Sequence, residues 1–501
     1  MKKININNNM ILLILFIIGI VVFFRGFDIN YYADDLQEVY KNPGDKIFYY
    51  MYNVPADGFY RPIQLLILTF SQTFFGHNTV FLHILYLIIH VLFCWSIYLF
   101  MMELGLSSVK SIIASLFMLL SQTNAASVLN NDTISQLLSS FAGFLSLMFL
   151  YKFLRINYSK IISIRSNYFN SLFLLSLLFF GIALFSKESS LSYLPILFFT
   201  IVFYTLNEKS SKLNIRVLAT YLIPYLIVFV IYYIIRSYAG GRQPTTDSNE
   251  AYVFAIGMNI IANFFMSMFA TVIPFPTETL YVWIKSRNFS NLSIPLAIIF
   301  IFLLLVIYGL MKSGKGRLIF ALIAFSVLST LPMILLTHVR EFHAYNTTPY
   351  VSMMIGIGLG SLIESRFLKF KKILALSVII IILIIQVISI QLRITKMKSN
   401  GEKAWTMIDQ ILPHIENVPL NGSLILMNPE NNQVEYSVMI MNDFNVLNTG
   451  LTVFNELSER KDFQTIIIKN NELHSFKNKS DNIILYLEDG TVKELKAINY
   501  Q

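Results

Sequence analysis

Apolar runs of about twenty residues recur along this chain from residue 10 to about residue 392. Each is long enough to cross the ~30 Å hydrocarbon core of a bilayer. Backbone polar groups at that depth have no water to bond, so the runs must be helices that satisfy themselves. They lie near 10–27, 79–101, 108–123, 133–154, 170–186, 188–206, 216–236, 293–311, 317–337, 346–364 and 372–392. A further stretch, 258–275, ends beside Pro274 and Pro276, which suit a broken helix lying in the interface. Only 13% of the 501 residues are charged and 55% are hydrophobic, against about a quarter charged in soluble domains. The expectation is an all-α polytopic membrane protein of about eleven transmembrane helices.

The formal charge of +9 does not call for nucleic acid. Lys and Arg gather in "MKK", "YKFLRINYSKIISIRSN", "NEKSSKLNIR", "KSGKGR" and "ESRFLKFKK". With eleven spans and 258–275 left in the interface, all of these fall on the cytoplasmic side, as the positive-inside rule expects. Loops 28–78, 124–132, "SKES", 237–292 and 338–345 are then extracytoplasmic, as is everything after the last span. The start of the chain resembles a signal peptide, but no small-residue cleavage site follows it, and it reads as a retained first helix. Cys94 lies in an apolar run and no intrachain disulfide can form. Sequons at Asn131, Asn288 and Asn346 are at chance level for so Asn-rich a chain.

From about residue 393 the pattern changes. A helical stretch, "GEKAWTMIDQILPHI", precedes short β-like runs, "GSLILMN", "FQTIIIK" and "NIILYLEDG". The chain therefore divides into a membrane domain, 1–392, and a small extracytoplasmic α/β domain, 393–501.

Ionisable residues concentrate at one face of the membrane: Asp34, Asp35, Glu38, Asp57, Arg61, Asp132, Lys187, Glu188, His338, Arg340, Glu341 and His343. Each alone is ordinarily a solvated loop charge, but together they are candidates for function. A carboxylate can take the proton of an acceptor hydroxyl. Lys, Arg and His can hold a phosphate and the charge that builds on it as it leaves. A lipid-linked sugar phosphate presents both needs at a membrane surface. A transporter would bury its charges near the midplane, and mid-span positions here are nearly uncharged. His83 and His90, seven apart on one helix face, read as a polar seam between helices. The acidic pair can bind a divalent cation, the one cofactor it suggests, although no further ligands converge in the sequence.

Asp34 and Asp35, "FYRPIQLL" at 59–66, "FFGHNTVFLHILYLIIH" at 74–90, "LFSKESSLSYLP" at 184–195 and "HVREFHAYNTTP" at 338–349 occur in that order. In this order and spacing the chain resembles integral-membrane glycosyltransferases of the GT-C fold. Within that superfamily it is similar to the RgtA/B/C/D-like group and to protein O-mannosyltransferases. It differs in lacking a His-Pro in the second outer loop, in carrying Tyr86 between the histidines, and in the order Arg340-Glu341. The resemblance implies a bacterial plasma-membrane enzyme with its site at the outer face. It would transfer sugar from a polyprenyl-phosphate donor to a glycan, lipid or protein acceptor. Asp34 or Asp35 would be the catalytic carboxylate. Lys187, Arg340, Arg61 and His338 would hold the donor phosphate, with Glu188, Glu341, His343 and Tyr60 in support. The rival readings are an O-antigen polymerase or ligase, against which the acidic first loop argues, and a polysaccharide flippase.

Overall fold

The computed structural model describes residues 7–33, 35–36, 48–54, 58–161, 170–207, 215–241, 255–276, 283, 287, 289–336, 341–365, 369–428, 447, 452–469, 482–488 and 491–494. Fourteen helices form the membrane part among these residues. They are α1 Asn8–Phe23, α2 Pro62–Phe75, α3 Val80–Glu103, α4 Ser108–Leu120, α5 Gln122–Leu129, α6 Ile134–Ile161 and α7 Ser171–Ser186. They continue as α8 Tyr193–Asn207, α9 Ile215–Tyr238, α10 Met258–Val272, α11 Phe289–Lys312, α12 Gly316–Ile334, α13 Thr348–Glu364 and α14 Lys369–Ile415. A helix occupies each of the eleven apolar runs. Among the described residues seven helices are long and apolar enough to cross a membrane alone, or eight with α4 and α5 taken as one bent span. The protein is an integral, multi-pass membrane protein.

Small residues set how closely the helices approach. In α13 the run "GIGLG" puts Gly356 and Gly360 on the face that meets α4. A Cβ there would stand 2.4 Å from the Lys110 carbonyl oxygen and 2.5 Å from Lys110 Cγ. The opposite face offers Gly358, whose carbonyl oxygen lies 2.0 Å from where a Cβ on Gly309 of α11 would stand. Without a hydrophobic force between helices in lipid, such backbone contact supplies the packing energy.

The sequence places a loop at 124–132, but most of it is helical. The chain breaks at Ser121, in an extended conformation (ψ 120°), and α5 sets off at 56° to α4. Gln122 and Thr123 end the apolar run and Asn124 opens the expected loop, yet all three are buried. Their side chains bond inward: Asn124 Nδ2 donates to the Met118 carbonyl at 2.8 Å, and Gln122 Oε1 accepts from Arg393 Nε at 2.8 Å. Buried polar groups are tolerated when paired, so polarity did not mean exposure here.

The interface stretch is α10, 15 residues long, with Phe265, Met266 and Ile261 exposed. Its opposite side is pinned by Asn263 Nδ2, which donates to the Leu336 carbonyl at 2.7 Å just beyond α12. The last helix, α14, has 47 residues, about 70 Å of rise, so it runs on well past a ~30 Å core. Beyond it β1 Ser423–Asn428, α15 Thr452–Leu457, β2 Gln464–Lys469, β3 Asn482–Glu488 and β4 Thr491–Glu494 form a sheet of order β2-β1-β3-β4. The β1 strand pairs in parallel with β2 and β3, and β4 is antiparallel. Leu424 and Leu426 on one face of β1 join the main core. The Gln410 side chain of α14 accepts from the Val492 amide at 2.8 Å, tying sheet to helix.

Candidate functional site

The first loop leaves α1 through a short 3₁₀ turn, Phe24–Gly26. It folds inward, leaving Ile29, Tyr31, Tyr32 and Ala33 at 3% exposure or less. Ala33 adopts φ 54°, a left-handed conformation that non-glycine residues enter only when their surroundings hold them there. Two residues on, the Asp35 side chain is buried. Its carboxylate accepts from the Asn131 amide (3.3 Å), Asn131 Nδ2 (3.2 Å) and the Asp132 amide (3.3 Å). The donors belong to the turn between α5 and α6, a ready-made anion cradle at the start of a helix.

Other side chains lock that turn. Gln64 Nε2 of α2 donates to the Asp132 carbonyl at 2.9 Å, and the Tyr86 hydroxyl of α3 donates to the Asn131 carbonyl. The Tyr32 hydroxyl donates to Asn130 Oδ1 at 3.3 Å. His83 lies between the loop and the turn, Nδ1 at 2.9 Å from the Phe27 carbonyl and Nε2 at 2.8 Å from that of Leu129. His90 points elsewhere in the same seam: the Tyr345 hydroxyl meets Nδ1 at 2.7 Å and the Leu119 carbonyl lies 3.2 Å from Nε2. The two histidines are thus buried, as a polar seam requires. Asn131 and Asn346 are each 1% exposed, so neither presents its sequon to a modifying enzyme.

Arg61 precedes Pro62 at the first position of α2. It grips Glu188 with two donors, Nε to Oε2 at 3.0 Å and Nη2 to Oε1 at 2.5 Å. Its guanidinium also stacks over Phe59 at 4.5 Å. Glu188 opens the 3₁₀ turn Glu188–Ser192 between α7 and α8. Burial pushes its carboxyl up, but Arg61 and then Lys187 outweigh that and hold it at about 2. Glu188 therefore answers Arg61 rather than its neighbour alone. Lys187 is 5% exposed and its ammonium lies 5.0 Å from the Phe342 ring centre. Phe342 in turn meets the His343 ring edge-to-face at 4.3 Å. Tyr60, beside Arg61, donates its hydroxyl to the Met51 carbonyl at 2.7 Å. Burial, then Tyr232 nearby, pushes the phenol up to about 12.

The turn that holds Asp35 therefore bonds Gln64 at the start of α2, and Arg61, one turn earlier at the same helix start, clamps Glu188, whose neighbour Lys187 faces Phe342 beside His343. Asp34, His338 and Arg340 lie outside the described residues, as does the side chain of Glu341. Gln64, Tyr86 and Phe342 lie inside quoted motifs and Asn131 opens a sequon, yet sequence reasoning gives none of them a part in the site, because they hold others through backbone groups or ring faces. Among the described residues no three His, Cys, Asp or Glu side chains converge on a metal position.

Comparison with solved structures matches the fold over nearly the whole chain. Apo ArnT from Cupriavidus metallidurans superimposes with a TM-score of 0.51 at 9% identity, covering 95% of this chain and 93% of ArnT. The fold is the GT-C fold. ArnT bound to undecaprenyl phosphate gives 0.46 at 10% identity, with the same coverage. The oligosaccharyltransferase AglB from Archaeoglobus fulgidus, with an inhibitory peptide and a dolichol-phosphate, gives 0.49 at 11% identity, covering 91% of this chain. This chain spans 64% of the length of AglB. No protein-family model matches the sequence, and no curated protein matches it.

Proposed function

We propose that the protein is an inverting glycosyltransferase that moves a sugar from a polyprenyl-phosphate donor to a glycan, lipid or protein acceptor at the outer membrane face. The observation that supports it is that one helix start, α2, ties the turn holding an amide-bound carboxylate, Asp35, through Gln64 and carries the cationic Arg61 beside Glu188 and Lys187. In the reaction the acceptor hydroxyl oxygen attacks the anomeric carbon. The bond from that carbon to the phosphate oxygen breaks, and the polyprenyl phosphate departs with the electron pair. Asp35, or Asp34 beside it, takes the hydroxyl proton.

Lys187, Arg340 and His338 are the cations assigned to the leaving phosphate, whose growing charge they neutralise. Arg61 contributes to the same field while its two engaged donors fix Glu188. Glu341, His343 and Tyr60 shape the surroundings. A divalent cation at the acidic pair would add to the same neutralisation. The 393–501 domain helps bind the acceptor.

ArnT has been described with undecaprenyl phosphate bound, so that carrier, charged with candidate sugars, is the donor to try. Purified protein in the bilayer would be assayed with Asp34→Asn and Asp35→Asn separately. Full activity in both variants would end the carboxylate proposal. Mass spectrometry of surface glycans from a deletion strain separates transfer from export: a missing sugar residue means transfer, a missing whole polymer means a flippase.

A further inference from the structure

A second site opens on the side of the molecule where α1 meets α14. A groove of about 520 Å³ lies between the chain leaving α1 and the part of α14 just above the last apolar run. Its size is that of a ligand pocket. Phe24, Arg25 and Asp28 line one wall, and Thr395, Lys398 and Glu402 the other. None of these belongs to the site described above. The groove is amphipathic, and its charges are two of each sign.

Two features say what kind of molecule fits. The first is what lies below. On α14, Thr395 and Lys398 continue the face of Ile388 and Leu392, which are 54% and 55% exposed. On α1, Val21 is 64% exposed one turn before Phe24, itself 55% exposed. The groove is therefore the headward end of an apolar seam that faces lipid tails. The second is the charge pattern. Lys398 pairs with Asp28, and their side chains are 39% and 55% exposed. Exposed pairs of this kind contribute little and exchange partners readily. A ligand carrying both a phosphate and an ammonium would give Arg25 and Lys398 an anion, and Asp28 and Glu402 a cation.

We infer that this groove binds the headgroup of an amine-bearing glycerophospholipid, phosphate toward Arg25 and Lys398 and ammonium toward Asp28 and Glu402, with its chains along the α1–α14 seam. The inference does not depend on sugar transfer. A soluble phosphoethanolamine would make no use of the apolar seam, so competition by it distinguishes headgroup binding alone from binding of the whole lipid.

The test is native mass spectrometry of the full-length protein in detergent with phosphatidylethanolamine or phosphatidylglycerol of matched chains. The wild type should retain phosphatidylethanolamine about tenfold better, the worth of one charge-assisted contact. Arg25→Gln with Lys398→Gln should lower that retention about tenfold, and Glu402→Gln should erase the preference while sparing phosphatidylglycerol. Thr395→Trp, which fills the groove from an exposed position, should displace the lipid without touching any charge. Excess soluble phosphoethanolamine should leave retention unchanged. Equal retention of both lipids by the wild type, or unchanged retention in the double variant and in Thr395→Trp, would overturn the assignment.

Discussion

The first loop and the α7–α8 hairpin each present a buried-side carboxylate at the same end of the bundle, and they hold it in opposite ways. Asp35 is cradled by amides from Asn131 and Asp132. Glu188 is clamped by the guanidinium of Arg61, which with Lys187 keeps it near 2. Amide donors and a cation both favour the ionised carboxylate, so the contrast lies in what each one is tied to: Asp35 to the turn before α6, Glu188 to an arginine at the start of α2. The proposed function gives chemistry to the loop and architecture to the hairpin, and the two roles predict different losses.

The largest expected loss is catalytic. Asp35→Asn keeps the side-chain shape and should lower turnover by about 10²–10⁴-fold, the usual share of a general base, with the unfolding temperature within a few degrees of wild type. Turnover measured with a polyprenyl-phosphate sugar decides it. The comparison breaks if Glu188→Gln lowers turnover more than Asp35→Asn does.

Glu188→Gln should instead act on stability. It leaves Arg61 without its ion partner, and losing one member of a fully buried pair costs about 3–5 kcal/mol. Glu188 and Arg61 keep 27% and 14% of their side-chain surface exposed, so about 1–3 kcal/mol is expected, read as a lower unfolding temperature in detergent. The pH dependence has a definite sign. The Glu188 carboxyl sits below its ordinary 4.5, at about 2, so the pair's contribution is full above 4.5 and fades as pH falls from there through 2. In Glu188→Gln that acid limb of the stability curve should flatten.

Much of this architecture is written in the sequence, and the parts that are not have physical reasons. Runs of this length and composition dictate helices because backbone groups at bilayer depth must bond within the segment, and a helix occupies each run, with a break at Ser121 and a 3₁₀ start at Glu188. The short "SKES" connection forced a hairpin, and a 3₁₀ turn carries it. By contrast Asn124 falls in the stretch read as an outer loop, and burial of it and of Gln122 depends on partners the sequence does not announce, one as distant as Arg393. The Arg61–Glu188 pair spans 127 residues, and neither "FYRP" nor "SKES" announces the other. Asp35 could be picked out as an acid; the amides that hold it could not, because every residue has one. The "GIGLG" of α13 was a legible packing signal, read only once its neighbours were known.

His83 offers a finer cut. A neutral imidazole has one N–H, so removing it leaves one of the Phe27 and Leu129 carbonyls without its bond, about 1–3 kcal/mol. His83→Ala and His90→Ala should therefore destabilise to similar extents. Only His83 joins the loop of Asp35 to the turn that cradles it, so only His83→Ala should lower kcat as well, with KM for the donor little changed. Equal kcat in the two variants would detach the loop's chemistry from this anchor.

The smallest effect is expected from a pair that resembles the hairpin's on paper. Glu103, at the far end of α3, meets Arg155 of α6 at 3.3 Å, at the opposite end of the bundle from Asp132 and His83. Arg155 is 49% exposed, so water already solvates the guanidinium and the pair gains little by forming. Its Nη1 also donates to the Glu103 carbonyl at 2.7 Å, a bond that survives loss of the carboxylate. Glu103→Gln should shift stability by no more than about 0.5 kcal/mol and leave turnover alone. If it cost as much as Glu188→Gln, any carboxylate–arginine pair in this bundle would serve equally, and the hairpin would lose its special standing. A small effect would show that enclosure of the Arg61–Glu188 pair, rather than its charges alone, is what gives the hairpin its structural weight.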